Sequence, residues 1–373
     1  MNGRERLRRI MRFESVDRLP HWELCPWGQT YDRWLREGLK KDALKNPFYW
    51  FEGEPAWNLD RRAFAAIDAG VCPPFDYEVI EEDERYIVSR GGEGITTRAL
   101  KEGTVLGTRM TMDQYIDFAI KDKASWDDFK WRLNPDSPSR YPLWWDELAR
   151  LWKDREYPAC LLQNGTFGLY GRLRAWIGTE GLSYMFYDQP KLVEEILDYY
   201  TEFLIKLVTP AVHNVQFDYF NFFEDMAGKG GPLISPQLFR KFLMPKYKRI
   251  IEFLKSNGVE YVWMDSDGDM RTLIPLLIEC GVDVLWPLEA ASDMDPFVLH
   301  KQYGKDLRFC GGLDKRELAK SHKHIDDELA KKILPLRDCG GYIPHVDHAI
   351  DPDISYDNWL YYLETKQKML HMD

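Results

Sequence analysis

Residues 259–269 read V-E-Y-V-W-M-D-S-D-G-D. An apolar run from Tyr261 to Met264 stops abruptly in three acidic residues, Asp265, Asp267 and Asp269, with Gly268 among them. A buried strand has this form when it ends at a working surface: its β-branched and aromatic residues suit a sheet interior, and its carboxylates sit just past the carboxyl end. Carboxylates at i and i+2 on an extended segment point the same way, so Asp265 and Asp267 can converge on one ligand. Asp269 precedes the apolar run 273–278 and reads as a helix N-cap.

Outward from this stretch the rhythm is regular. Apolar strands ending in polar residues are predicted over 158–164, 215–224, 261–267, 283–289, 307–312 and 341–345, with helices over 190–208, 236–255, 270–279, 296–301 and 326–334. Two earlier strands, 20–25 and 67–73, bring the total to about eight. Strand–helix alternation implies parallel pairing, and eight such units predict an α/β fold, a (β/α)8 TIM-type barrel. A doubly wound open sheet is the alternative, but no G-x-G-x-x-G follows an early strand. Residues 1–66 read as an N-terminal helical elaboration that carries the first strand. Residues 77–98 alternate polar and apolar around a Gly-rich turn and predict a surface β-hairpin insert. Residues 112–155 read as amphipathic helix with a break at 134–142. No linker rich in Gly, Pro or Ser divides the chain, so residues 1–373 are expected to form a single domain.

Bulk properties narrow the partners. A net charge of −11 argues against nucleic acid. No apolar run reaches the length of a membrane span, and the basic start M-N-G-R-E-R-L-R-R-I-M lacks the apolar stretch of a secretory signal. The six cysteines are scattered without a C-x-x-C, which fits a reducing compartment. A cytoplasmic protein is expected. With 14 Trp, 20 Tyr and 19 Phe the chain can wall a pocket with rings, suited to a flat aromatic ligand or a large planar cofactor.

In a βα barrel the site lies at the carboxyl ends of the strands. The predicted strands deliver Glu23, Cys25 and Trp27; Gln163 and Asn164, with Tyr170 after them; Phe222, Phe223, Glu224 and Asp225; Asp265 and Asp267; Trp286 and Glu289; Asp314; and His345, Asp347 and His348. Two uses fit such a mouth. Asp, Glu and His can ligate zinc with an open position. Alternatively, clustered carboxylates raise one another's pKa and keep a proton available. There is no H-E-x-x-H and no Cys/His cluster, and nothing suggests a protein nucleophile.

Five further stretches carry a resemblance: R-L-R-R-I-M-R-F-E-S-V-D-R-L-P at 6–20, F-F-E-D-M-A-G-K-G-G-P-L-I-S-P-Q-L-F-R-K-F-L-M-P at 222–245, D-S-D-G-D with the L-I-P-L-L-I-E-C-G-V-D-V-L-W-P-L-E that follows at 273–289, F-C-G-G-L-D at 309–314, and D-H-A-I-D-P-D at 347–353. In these the chain resembles the uroporphyrinogen decarboxylase superfamily of βα barrels, and within it the corrinoid-linked methyltransferases. The arginine-rich segment with which the true decarboxylases hold substrate carboxylates is replaced here by W-E-L-C-P-W-G-Q-T-Y-D-R-W at 22–34. A porphyrinogen's carboxylates would be left unpaired there, at a cost of several kcal/mol. The coenzyme M methyltransferases of the superfamily bind zinc through His-x-Cys and a later Cys. Asp265-x-Asp267 and His348 stand in those places here, with Glu289 a further candidate ligand.

That harder, thiolate-free set suits activation of an oxygen rather than a thiol. The resemblance therefore implies a methyltransferase that moves a methyl group from an O-methyl donor, best a methoxylated aromatic, to the cobalt of a corrinoid held by a separate carrier protein. Asp265, Asp267 and His348 are expected to assist the leaving oxygen, with or without zinc. Glu224, Asn164 and Glu289 would orient the donor, Trp27, Tyr170, Phe222 and Trp286 would wall it, and His345 would lie beside it. A homodimer is one expected state. The alternatives are a decarboxylase or lyase acting on a smaller acid, which would need a cationic anchor not evident in the sequence, an acceptor-side corrinoid methyltransferase, and a non-catalytic corrinoid-handling subunit.

Overall fold

The computed structural model describes residues 1–47, 50–161 and 167–371. Among these a parallel sheet is built from β1 (Ala63–Phe64), β2 (Ala159–Cys160), β3 (Tyr219–Phe223), β4 (Tyr261–Asp265), β5 (Val284–Trp286), β6 (Arg308–Cys310) and β7 (Tyr342–Ile343), each hydrogen-bonded to the next. Helices pack outside the later strands: α1 (Tyr170–Ile177) and α2 (Pro190–Asn214) after β2, α3 (Met244–Ser256) after β3, α4 (Ile274–Cys280) after β4, α5 (Pro296–Tyr303) after β5, α6 (His322–Arg337) after β6 and α7 (Tyr356–Leu370) after β7. This is the TIM-type βα barrel that the alternation predicts. No helix among the described residues is long and apolar enough to cross a membrane.

Strand alternation sorts side chains between two apolar layers. Cys160, Tyr219, Trp263, Val284, Cys310 and Ile343 fill the barrel interior together with Trp22. Phe220, Phe222, Val262, Met264, Leu285 and Phe309 face the helices. The Trp263 ring lies 4.6 Å from Tyr219 and 6.1 Å from Trp22 between centroids. A buried indole removes ~150–250 Å² from water, which at about 25 cal/mol/Å² contributes at most about 4–6 kcal/mol.

The predicted first strand forms no ladder. Segment 20–27 lies between β7 and β1 and makes one parallel bridge, Pro26 to Ile350. Ile350 N–H donates to Cys25 O at 3.2 Å on one side, and Asp60 N–H to His21 O at 2.8 Å on the other. Pro20 and Pro26 bring no N–H, so a regular ladder is denied to this stave. Side chains close the gap. The buried Glu23 carboxylate accepts from Val346 N–H at 3.2 Å, from the Tyr362 hydroxyl and from the Lys366 ammonium, and Lys366 also donates to Trp22 O at 2.8 Å. Both Glu23 and Lys366 are fully buried. Glu23 therefore belongs to the barrel seam and not to the mouth.

Other boundaries moved. The strand expected at 67–73 occurs at Ala63–Phe64, where small alanines let β1 pack against β2. The hairpin insert is an antiparallel four-stranded sheet: Glu78–Glu82, Tyr86–Arg90, Thr96–Leu100 and Gln114–Asp117. The Gly-rich turn joins its second and third strands. Its fourth strand falls where helix is predicted from 112, and helix begins only at Lys123–Phe129, behind an Asp122 capping box. The loop before that strand is pinned to the N-terminal part by Gly28 N–H donating to Thr108 Oγ1 at 2.6 Å and by the Gln29 amide donating to Gly103 O at 2.8 Å.

Candidate active site

Strands β3, β4 and β5 end in Phe223, Asp265 and Trp286, three residues in lateral register. They open onto a cleft of about 510 Å³ lined also by Leu24, Cys25, Trp27, Asp225, Asp267 and His348. Met110 and Met112 from the insert loop overhang it. A larger groove of about 650 Å³ lies on the outer helices, away from the strand ends, and is lined by Glu195, Asp198, Glu202, Lys206 and Arg249.

The acidic loop after β4 is held on every side. Ser266 N–H donates to Trp286 O at 3.0 Å, and Asp269 N–H to Gly228 O at 3.0 Å. Met226 N–H donates to Ser266 Oγ at 3.1 Å. Gly268 has φ +82°, and a Cβ there would meet the Ala227 carbonyl carbon at 2.5 Å, so only glycine seats the loop. Asp269 is not the helix cap expected: α4 begins behind Leu273, and the Asp269 carboxylate instead accepts from Arg271 N–H at 3.1 Å and its guanidinium at 2.9 Å.

The structure brings Asp265, Asp267, His348, Trp27 and Trp286 to the cleft. Burial drives the Asp265 pKa well above the ordinary carboxylate range, and the neighbouring carboxylates Asp225 and Asp267 push it further. Burial and Asp267 also raise Asp225, against the opposing pull of Arg174. His348 is raised by its hydrogen bond to Asp267, with Nε2 to Oδ2 at 3.5 Å. Its buried Nδ1 has no hydrogen-bond partner among the described residues. The Trp286 indole donates to Asn221 Oδ1 at 2.7 Å, which fixes its ring. The cleft thus holds a carboxyl biased toward its protonated form, an imidazole biased toward its charged form, and flat walls.

Other predicted residues lie elsewhere. Phe222 faces outward, 5.1 Å from the Tyr247 ring between centroids, and its neighbour Phe223 takes the cleft. Tyr170 is buried in the helix layer at the start of α1. Glu224 is fully buried, and its carboxylate accepts from Leu169 N–H at 2.6 Å, Gly171 N–H at 2.8 Å and the Tyr247 hydroxyl. It anchors the first turn of α1 and has no oxygen to spare for a donor molecule. Glu289 is turned onto Gly268 N–H at 3.0 Å and the Ser292 hydroxyl at 2.9 Å. His345 is sealed in the interior with Nδ1 at 2.6 Å from Val346 O, and burial pulls its pKa down to about 3. Asn164 and Gln163 lie outside the described residues.

The four-ligand metal set therefore does not assemble. Glu289 is committed to the loop, and among the described residues no three His, Cys, Asp or Glu side chains are placed to share one ion. Asp225, expected at the mouth but given no role there, lies in the cleft. Asp225 follows Glu224 at the strand end, and its φ of +43° turns it into the cleft while Glu224 turns under α1. Met110, Met112 and Lys315 carry no local signal.

Residues 104–369 match the uroporphyrinogen decarboxylase (URO-D) family. The chain belongs to this family. The fold is also similar to that of a methyltransferase from Methanosarcina mazei, with a TM-score of 0.55 over 99% of each chain and 13% sequence identity. At that identity the likeness is one of fold. No curated protein matches the chain. Within this URO-D barrel the carboxyl ends of β3, β4 and β5 present carboxylates and rings, and the insert loop adds the thioethers of Met110 and Met112.

Glu224 gives the barrel a pH signature. Burial lifts its pKa from 4.5 to about 7. The folded state then holds a proton that the unfolded chain releases, so stability falls as pH rises between those values, by about 1.4 kcal/mol per pH unit. Glu224→Gln should flatten the pH dependence of stability between pH 5 and 7, measured by urea unfolding. An unchanged slope would show that Glu224 is not the group responsible.

Proposed function

We propose that this URO-D barrel is the donor-side component of a corrinoid-dependent methyltransferase, which removes the methyl group of a methoxylated aromatic. The observation that carries this reading is the placement of Asp265, a buried carboxyl at the end of β4 whose pKa is raised by burial and by Asp225 and Asp267, inside a cleft walled by Trp27, Phe223, Trp286, Met110 and Met112. A phenolate leaves as the conjugate base of an acid of pKa about 10, so a proton delivered to the ether oxygen lowers the barrier. Asp265 supplies that proton. His348, biased toward imidazolium by Asp267, stabilises charge developing on the oxygen. The rings sandwich the arene and exclude water. The methyl acceptor, a cobalt(I) corrinoid on a carrier protein docked at the mouth, is a second substrate and brings the nucleophile, so the barrel needs none.

Lys315 supports a second reading, a lyase acting on a smaller acid. It provides the cation in the mouth that the sequence left unidentified, although its ammonium pairs with Asp351 at 2.8 Å. The test is to mix the protein with reduced cobalamin and a panel of methoxylated phenols and benzoates. Growth of the methylcobalamin band is expected. Carbon dioxide released from the acids, with no methylcobalamin from any donor on free or carrier-bound corrinoid, would favour the lyase.

A further inference from the structure

Beside the acidic cleft lies another of about 460 Å³ that the proposed proton chemistry does not use. The two share Met112, Phe223 and Asp225, so one elongated ligand can occupy both. One wall of the second cleft is α1, which contributes Arg172 and Arg174; facing it are Ile95, Tyr115 and Phe118 of the insert. The Arg172 side chain is 10% exposed, and its Nη1 lies 3.5 Å from Glu93 Oε2. Its guanidinium sits 5.6 Å from the Trp176 ring centroid. Arg174 Nη2 lies 3.5 Å from Asp225 Oδ2. Both ion pairs are longer than the roughly 2.7–2.9 Å of a charge-assisted hydrogen bond. The described residues supply neither guanidinium with a closer partner. A guanidinium carries five N–H donors, and burying it costs heavily unless they are used; that bears on Arg172, while the Arg174 side chain is 30% exposed and open to the cleft. The planar fork matches a carboxylate.

Resting on the methyltransferase reading, we infer that this second cleft is an anion subsite, in which Arg172 and Arg174 hold a carboxylate carried by the methyl donor. The donor is then a methoxylated aromatic acid, with its ring between Phe223 and Met112 and its ether oxygen toward Asp265. Each guanidinium faces one carboxylate, Arg172 that of Glu93 and Arg174 that of Asp225, and neither pair is closer than 3.5 Å.

Calorimetric titration of the full chain with 4-methoxybenzoate and with neutral 4-methoxybenzyl alcohol tests this without any corrinoid. The acid should bind at least 10-fold more tightly. Arg174→Gln should weaken the acid by roughly 10- to 100-fold, as loss of a charge-assisted bond implies, and the alcohol by less than about 3-fold. Arg174→Lys should restore part of the loss, and Arg172→Gln should repeat it if that buried variant folds. Equal affinity for acid and alcohol, or equal losses for both in Arg174→Gln, would overturn the subsite. The methylcobalamin assay separates the two claims. Arginine-dependent acid binding without methylcobalamin from any donor sinks the methyltransferase and keeps the subsite. Transfer from neutral and acidic donors alike, unchanged in Arg174→Gln, does the reverse.

Discussion

Asp265→Asn should slow methyl transfer by ~10²–10⁴-fold, the usual span for loss of a positioned proton donor, without unfolding the barrel. Asparagine keeps the shape and can donate a hydrogen bond, but it has no proton to give up. In the native protein the rate should hold on the acid side and fall as pH rises through the raised pKa of Asp265. The variant should lose that limb. Stability gives the control. A carboxyl raised in the folded state stabilises it only while protonated, and the contribution is lost as pH climbs from the ordinary 3.8 toward the folded value. Asparagine removes that loss along with the repulsion from Asp225 and Asp267, so the thermal midpoint at neutral pH should not fall. A rate close to wild type, with an unaltered pH profile, would take the proton-donor role away from Asp265.

The second large effect is structural. Lys366→Met should destabilise the protein by about 3–5 kcal/mol, because it leaves the Glu23 carboxylate charged and uncompensated in the interior. For a chain of this length that is a drop of roughly 4–7 °C in thermal midpoint. Burial already pulls the Lys366 ammonium down against the attraction of Glu23, so the pair owes its place to mutual satisfaction and not to a surplus of Coulomb energy. Glu23→Gln combined with Lys366→Met should recover much of the loss, since both charges are then gone. If the single variant melts with wild type, the seam is not held by this pair.

How much of this was legible in the sequence follows from what each signal encodes. The run 261–265 and the acidic loop after it were readable because a strand interior and a strand end have different chemistry. His348 was readable because it lies a few residues past another such end. Adjacent residues of like type were not separable. Phe222 and Phe223 differ only in which face of the pleat they take, Glu224 and Asp225 part at a left-handed turn just past the strand, and in each case one residue exchanges core for cleft. Composition does not carry that register. Tyr170 and Glu289 stand at the first turn of a helix and in a loop, where local hydrogen bonds claim side chains that their position at the mouth suggested were free. The thioethers of Met110 and Met112 reach the cleft only because Gly28 and Gln29 tie down a loop about 80 residues away in sequence. The stave at 20–27 read as a strand because its residues are apolar, while its two prolines decided otherwise.

That stave has a consequence for how the protein is made. Glu23 and Lys366, which meet at the seam, are 343 positions apart in the chain. At ~5–20 residues per second on the ribosome, roughly 20–70 s separate the synthesis of the two. Through that interval the β-sheet can grow strand by strand from neighbour to neighbour, but the ring stays open, with the Glu23 carboxylate in water and Trp22 lacking its lysine-bound carbonyl. Closure is thus a late event, and a nascent chain halted before α7 emerges would present an open sheet edge to its surroundings, the state in which such a barrel most needs a chaperone.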